Sequence, residues 1–263
     1  MDNLLNDAIE ITRAAGAAIM EYYRSSFEVK DKKPDNPVTD ADYASDNLLR
    51  KRLLELLPET GWLSEETIDD PERLLHRLVW VVDPLDGTKE FVMGIPEFSV
   101  SVALVRLGLP VLGIVYNPAT DELFTAERGQ GTTFNGKPAS VSDCTDLQNA
   151  RVDASRTERQ RGEFEPFEDM VEVNTMGSIA YKLARVAAGI TDATWSRGPK
   201  NEWDICAGTL LVQEAGGRCV NLDDLVFTFN RPDTLVNGII ADNGHLHDQI
   251  VAALSPHRAT ART

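Results

Sequence analysis

The order of helical and strand patterns along the chain predicts an α+β protein. Two amphipathic helical segments come first, followed by a run of short apolar strands that reads as mostly antiparallel. In the second half, strands and helices alternate, and no internal repeat is visible in either half. The division is placed between residues 145 and 146, giving a strand-rich half (1–145), an alternating half (146–255) and a disordered tail (256–263).

Each element follows from local pattern. Residues 2–24 place Leu4, Leu5, Ala8, Ile9, Thr12, Ala15 and Ile19 on one helical stripe. Lys30 to Asn36 reads as a charged, proline-containing loop. A second helix starts with Thr39 or Asp40 as its cap and runs to Leu57, where Pro58 stops it. Strands are expected near 79–83, 98–105, 111–116 and 122–126, with a turn at Phe134-Asn135-Gly136. A strand near 150–154 precedes a polar stretch, 155–169. Beyond it come a helix over 178–188, a strand over 192–195 and a helix over 203–214. Strands near 218–221 and 236–241 lead to a last helix, about 244–254.

Bulk properties narrow the class. A chain of 263 residues buries a substantial core, as one large domain or two closely packed halves. Hydrophobic residues make up 42% and charged residues 26%, the balance of a soluble globular protein. No apolar run approaches the ~20 residues that a membrane span needs. The acidic start, Met1-Asp2-Asn3-Leu4, lacks the basic opening of a signal peptide. Cys144, Cys206 and Cys219 form neither a disulfide framework nor a zinc spacing, so a cytoplasmic location is expected. The net charge of −16 argues against nucleic-acid polymers, whose binding takes phosphate neutralisation by Lys and Arg. A small phosphorylated substrate remains open, because bound cations invert the local field.

The chemistry concentrates in Val79-Trp80-Val81-Val82-Asp83-Pro84-Leu85-Asp86-Gly87-Thr88. An apolar strand ends there in two carboxylates three positions apart, followed by Gly and Thr. The carboxylates are hard oxygen ligands suited to a cation such as Mg²⁺. Gly87 and Thr88 can turn backbone N–H groups toward an anion. A divalent metal beside an oxyanion pocket points to phosphate chemistry. Three further segments bear on the same site. Asn36-Pro37-Val38-Thr39-Asp40-Ala41-Asp42 is a turn leading into a helix, and Gly61-Trp62-Leu63-Ser64-Glu65-Glu66-Thr67 ends in a Glu pair. Glu202-Trp203-Asp204-Ile205-Cys206-Ala207-Gly208 is followed by Glu214-Ala215-Gly216-Gly217.

Together and in this order, the four motifs resemble the inositol monophosphatase superfamily of metal-dependent, lithium-sensitive phosphatases. That pattern is an Asp, a Glu-Glu pair, Asp-Pro-Ile/Leu-Asp-Gly-Thr/Ser and a late Trp-Asp with Ala-Gly, and the resemblance spans residues 1–255. It implies a layered α/β/α/β/α sandwich and a Mg²⁺-dependent phosphomonoesterase with two to three ions per site. By the same resemblance, Glu65, Asp83 and the Leu85 carbonyl hold one Mg²⁺. Asp83 bridges to a second ion completed by Asp86 and Asp204, and a third, weaker ion touches Glu65. Four carboxylates this close repel one another, so without cations the site is expected to be protonated or partly disordered. The implied reaction is direct attack of a metal-activated water in line with the ester oxygen, with no covalent intermediate. The resemblance assigns Thr88 and Asp42 to the relay that orients and deprotonates this water, with Glu65 as the rival candidate. Gly87 and Thr88 N–H groups hold the phosphate oxygens. Trp203 is expected to pack in the core and Cys206 to be a small apolar filler, with Asp204 at a helix N-terminus that favours a carboxylate. Glu66 is either a support for the site or surface.

Two features bear on the substrate. Asp86-Gly87-Thr88-Lys89-Glu90-Phe91 resembles the bacterial 3′(2′),5′-bisphosphate nucleotidases, with Lys89 on the pocket rim. Inositol monophosphatases also carry a Glu seven residues before the late Asp, where this chain has Arg197. A guanidinium in place of a hydroxyl acceptor favours a second anionic group on the substrate. The run before Asp204 is one residue shorter than in the nucleotidases, which leaves the correspondence of Arg197 open. Lys200 adds an anion contact, Gly177 and Ser178 line the adenosine side, and Asp204 counts among the substrate contacts as well. The expected activity is therefore hydrolysis of 3′-phosphoadenosine 5′-phosphate to AMP. Inositol-1-phosphatase is the alternative, followed by fructose-1,6-bisphosphatase or NADP phosphatase, and more remotely a non-catalytic regulator with the same fold. A homodimer is implied by the resemblance alone. His245-Leu246-His247, near a helix start, is read as surface and carries no site.

Overall fold

In the computed structural model of the chain, residues 2–24, 29–33 and 36–256 are described. Helix α1 (Asp2–Met20) buries Ala8, Ile11, Thr12, Ala15 and Ile19, recurring every three or four residues as a one-sided helix requires. It ends four residues earlier than the apolar stripe suggested, in a turn over 21–24 where Arg24 takes φ 59°. The segment expected as a loop is instead a hairpin. Strand β1 (Val29–Lys33) pairs antiparallel with β2 (Asn36–Thr39), a backbone pairing that charged composition does not forbid. Helix α2 (Asp40–Leu56) is capped by Thr39 in a capping box with Asp42.

A seven-stranded sheet follows. Its strands are β3 (Gly61–Ser64), β4 (Leu78–Asp86), β5 (Ser99–Arg106), β6 (Leu109–Asn117), β7 (Glu122–Glu127), β8 (Gly131–Phe134) and β9 (Lys137–Ala139), in that spatial order. Every neighbouring pair is antiparallel except β3 with β4. Helix α3 (Thr88–Val92) is the short turn leaving β4. Both faces of this sheet are covered, which is why β4 and β5 read as unbroken apolar runs. Trp80, Val82, Val100, Val102 and Leu104 face α1 and α2, whereas Val79, Val81, Ala103 and Val105 share a second core with the helices beyond.

Strands β10 (Arg151–Ala154), β11 (Glu172–Thr175), β12 (Ala193–Ser196), β14 (Arg218–Val220) and β16 (Ile239–Asp242) form a five-stranded sheet, ordered β11-β10-β12-β16-β14. Strands β13 (Lys200–Asn201) and β15 (Leu235–Val236) pair separately, and Gly238 at φ 64° breaks what the sequence presented as one strand over 236–241. Between the sheets lie α5 (Ile179–Ala187) and α6 (Glu202–Glu214). A Cβ on Gly208 would lie 2.5 Å from Leu183, so glycine lets these two helices approach closely. Cys206 is fully buried there as apolar filler, and Trp203 packs partly buried against the same core.

The outer face of the second sheet is covered by α7 (His247–Leu254) and by the segment after β10, which holds α4 (Arg156–Gln160). The latter stretch, read as merely polar, buries Phe164 and Phe167 against Trp195. The layers are therefore α/β/α/β/α. His247 corrects the surface reading of its motif: it is buried, with Nδ1 2.7 Å from Asp242 and Nε2 3.0 Å from Asp224. Ser255 and Pro256 continue α7 as a short turn, and the rest of the expected tail lies outside the described residues. Among the described residues, no helix is long and apolar enough to cross a membrane.

Candidate active site

The two carboxylates of the Asp-Pro-Leu-Asp run would point to opposite faces of a regular strand, because their spacing is odd. The strand is not regular there. Asp83 pairs with Ser101 and Asp86 with Ser99, so three steps on β4 match two on β5. This bulge at Pro84-Leu85 resets the side-chain phase. Asp83 stays on the α5/α6 side with Val79 and Val81, Leu85 turns to the other core, and Asp86 comes back to the α5/α6 side.

There Asp86 Oδ2 accepts from Ser178 Oγ (2.6 Å) and from the Ala180 N–H (2.6 Å), at the start of α5. Asp83 Oδ1 accepts from the Leu85 N–H at 3.0 Å. Asp204 stands at the third position of α6, where its Oδ2 accepts from the Asn201 N–H (2.8 Å) in a capping box. Glu65 follows β3, its N–H bonded to Val82 O at 3.3 Å. Carboxylate oxygens of Glu65, Asp83 and Asp204 all lie within 4.8 Å of one another. Asp86 lines the same cavity but stands outside this tightest triplet.

Crowding shows in the acidities. Burial, with Glu65, Asp86 and Asp204 close by, holds Asp83 well above the usual carboxylate range. Asp204 is raised well above it for the same reasons, burial first and then Asp86 and Glu65. Burial pushes Asp86 up to about 6, against the hydrogen bonds from Ser178 and Ala180. A set of hard oxygen donors that resists carrying its own charges fits a divalent cation such as Mg²⁺.

Helix α2 braces this site from behind. Asp42, 1% exposed, has Oδ2 bound by the Thr39 N–H (2.8 Å) and Thr39 hydroxyl (2.7 Å), while Oδ1 faces the Thr88 hydroxyl at 3.1 Å. The same Thr88 hydroxyl is 3.1 Å from the Leu85 carbonyl. Ser45 donates to Pro84 O at 2.8 Å. One turn beyond Asp42, Asp46 accepts from Ser64 (2.5 Å) and Thr67 (2.9 Å), fixing the loop that carries Glu65. Gly87 takes φ 97°, and a Cβ there would meet Glu97 O at 2.8 Å, so the turn into α3 requires glycine.

The cavity has a volume of about 350 Å³ and is lined by Glu65, Asp83, Leu85, Asp86, Gly87, Thr88, Lys89, Ser178, Lys200 and Asp204 of the expected residues. Four expected residues do not line it; Asp42 lies behind the wall and reaches the cavity only through Thr88. Arg197 corrects the expectation of a guanidinium facing substrate: Glu163 holds it, through its carbonyl at 3.3 Å from Nη2 and its carboxylate at 3.9 Å from Nε. Gly177 lies behind the wall with its N–H on Glu97 Oε2 at 2.8 Å. Glu66 stands outside the lining as well.

Sequence reasoning missed Lys182, Glu158, Ser155, Glu90 and Asn201, all of which line the cavity. Lys182, 2% exposed, lies one helical turn after Ser178 and reaches Glu158 Oε2 at 3.4 Å. Burial opposes the charge on Glu158, but Lys182, Lys200 and the Ser155 hydrogen bond outweigh it and bring that carboxyl down to about 2. A lysine inside a helical run that is apolar but for Lys182 and Arg185, at (i, i+4) from Ser178, was the legible signal; Ser155-x-x-Glu158 was a readable capping box.

A layered sandwich with a carboxylate-lined cavity between its sheets, and a Thr88–Asp42 hydroxyl–carboxylate pair running back from that cavity into α2, suits hydrolysis of a phosphoric monoester. The model of the inositol monophosphatase family matches residues 1–259. An inositol-1-monophosphatase of Mesorhizobium japonicum is 35% identical, over 95% of this chain and 96% of its own length. A Nus factor SuhB of Pasteurella multocida is 36% identical, over 82% of this chain and 84% of its own. The solved Thermotoga maritima IMPase superposes with a TM-score of 0.88 at 29% identity, covering 99% of this chain and all of that one. The chain belongs to the inositol monophosphatase family.

Proposed function

We propose that this protein is a Mg²⁺-dependent phosphomonoesterase acting on a small ester that carries a second anionic group. The first candidate is a 3′(2′),5′-bisphosphate nucleotide, with 3′-phosphoadenosine 5′-phosphate converted to AMP. The observation that carries the substrate class is the mixed lining of one cavity: Glu65, Asp83, Asp86 and Asp204 share it with Lys182 and Lys200, and Glu158 stands beside Lys182. Lys182, 2% exposed and held by Glu158, and the half-buried Lys200 put positive charge on the wall where an anion can meet it. In this reading the second anion is taken by Lys182 and Lys200 rather than by Arg197.

Glu65, Asp83, Asp86, Asp204 and the Leu85 carbonyl are the groups that would hold Mg²⁺. When bound, the ions neutralise phosphoryl charge and acidify water. The chain's own residues do the rest. Thr88 has one hydroxyl proton and two acceptors at 3.1 Å, Asp42 Oδ1 and Leu85 O. Were the Leu85 oxygen to hold a cation, the Thr88 hydroxyl would donate its hydrogen bond to Asp42 Oδ1, and its lone pairs would accept one from the attacking water. Asp42 stays oriented because Thr39 holds its other oxygen twice. The first N–H groups of α3 have no intrahelical acceptor and suit phosphate oxygens. Lys89 lines the rim. Inhibition by millimolar Li⁺, a cytoplasmic location and a homodimer belong to the same reading.

A second reading is supported by the names of the relatives: an inositol-1-phosphatase, for which the lysines are incidental. Phosphate release with Mg²⁺ from 3′-phosphoadenosine 5′-phosphate, inositol-1-phosphate, fructose-1,6-bisphosphate and NADP, run in parallel, separates them. Preference for the bisphosphate nucleotide supports the first reading, and preference for inositol-1-phosphate replaces it with the second. Release from none of the four would refute both and favour a non-catalytic role.

A further inference from the structure

We infer that Arg156, which does not line the cavity, is a positioning residue for the ligand Asp86. The inference rests on the metal-dependent reading above. Arg156 opens α4, the helix whose neighbouring residues Ser155 and Glu158 form part of the cavity wall. Its guanidinium turns behind that wall and forks onto Glu97, with Nη1 on Oε2 and Nη2 on Oε1 at 3.0 Å. Nη1 also reaches Glu90 Oε1 at 3.3 Å. A planar fork on a carboxylate fixes orientation as well as charge.

Glu97 passes that orientation on. Its Oε2 accepts the Gly177 N–H at 2.8 Å, and its carbonyl would lie 2.7 Å from a Cβ on Gly177 and 2.8 Å from one on Gly87. It is thus wedged between the two segments that shape the cavity. The next residue, Ser178, adopts φ 54°, an arrangement a non-glycine residue keeps only when its surroundings impose it. In that conformation its hydroxyl sits 2.6 Å from Asp86 Oδ2, and the Ala180 N–H binds the same oxygen. Both bonds leave Oδ1 as the oxygen for a metal ion. The line of contacts is Arg156, Glu97, Gly177, Ser178, Asp86. Without the guanidinium, Glu90 and Glu97 repel one another, Gly177 loses its anchor, and the two donors on Asp86 are no longer held in register.

Mn²⁺ titration of metal-free protein, with free ion read by electron paramagnetic resonance, tests this without turnover. Arg156→Leu is expected to weaken Mn²⁺ binding about 10-fold or more, the usual cost of losing a group that orients a metal ligand. Arg156→Lys, which keeps charge but loses the fork, is expected to fall between, and it carries the test if the leucine variant does not fold. Arg151→Leu breaks a comparable ion pair, with Asp192 at 3.0 Å, and is the control expected to bind as the wild type does. Wild-type affinity in folded Arg156 variants, or equal weakening in the Arg151 control, overturns the inference. Absence of Mn²⁺ binding by the wild-type protein overturns it together with the metal reading. Tight Mn²⁺ binding that falls only in the Arg156 variants upholds it, even if no ester tried is hydrolysed.

Discussion

Replacing Lys182 with methionine separates substrate recognition from stability in one experiment. Glu158, 6% exposed, has its carboxyl brought from 4.5 to about 2, a shift worth about 3 kcal/mol at neutral pH. The sign follows from the direction: a depressed carboxyl stabilises the fold above its unfolded value of 4.5, and that contribution is lost as pH falls toward 2. Lys182 is the first of the attractive partners, so Lys182→Met strands most of that charge. Breaking a buried pair by removing one member costs about 3–5 kcal/mol, in line with the first figure. A loss of about 3 kcal/mol corresponds to a melting temperature lower by about 6–12 °C for a chain of this size. The double variant Lys182→Met/Glu158→Gln is expected to regain most of it, because no charge is left buried alone. The same variants report on substrate. A lost charged contact is worth about 1.5–3 kcal/mol, so kcat/KM for 3′-phosphoadenosine 5′-phosphate falls about 10- to 100-fold. Inositol-1-phosphate, without a second anion, changes by no more than a few-fold. Equal losses on both substrates, or a double variant no more stable than the single one, refute the reasoning.

Asp83→Asn is expected to abolish phosphate release while leaving the far-ultraviolet dichroism of a folded chain. In metal-free buffer it should melt higher than wild type, since one of the mutually repelling carboxylates is gone. Metal-free wild-type protein is expected to lose stability as pH rises through about 6, where Asp86 must ionise, because a raised carboxyl stabilises only while protonated. Melting curves at pH 5 and 7.5, with chelator or with Mg²⁺, test this: Mg²⁺ should flatten the difference, and a metal-free protein that melts higher at 7.5 would contradict it. Gly87→Ala is expected to cost about 1–3 kcal/mol and to lower kcat sharply, since φ 97° and the Glu97 carbonyl at 2.8 Å leave no place for a Cβ; chemical denaturation and initial rates measure both.

What was legible in the sequence was whatever is encoded locally. The Thr39 cap, the apolar run of β4 and the stop near Leu57 depend on neighbours within a few residues; the structure has the cap, the start of β4 and the stop within a residue of their expected places, and carries β4 three residues further, to Asp86. The four site motifs were readable because each packs its chemistry into a short run. What escaped depends on distant partners. The hairpin of β1 and β2 is a backbone pairing without an apolar signature. Phe164 and Phe167 are hidden in a polar stretch and find Trp195 only through the sheet. Arg197 carried the right chemistry for an anion, but Glu163, 34 positions earlier, took it. Lys182 was overlooked for the converse reason: a lysine in a helix that also carries Arg185 reads as surface until the cavity beside it is known.

Helix α6 also bears on when the site comes into being. It touches β4, β5, β6, β7, β8 and α5, all made earlier, and also β14 and β16, made later. Contacts that span so much sequence form late and slowly. Until residues past 200 arrive, Glu65, Asp83 and Asp86 stand together without the carboxylate and the helix that complete their enclosure. A nascent chain thus holds its self-repelling acids open to water, where charge costs little, and closes around them only when Asp204 and its helix are in hand.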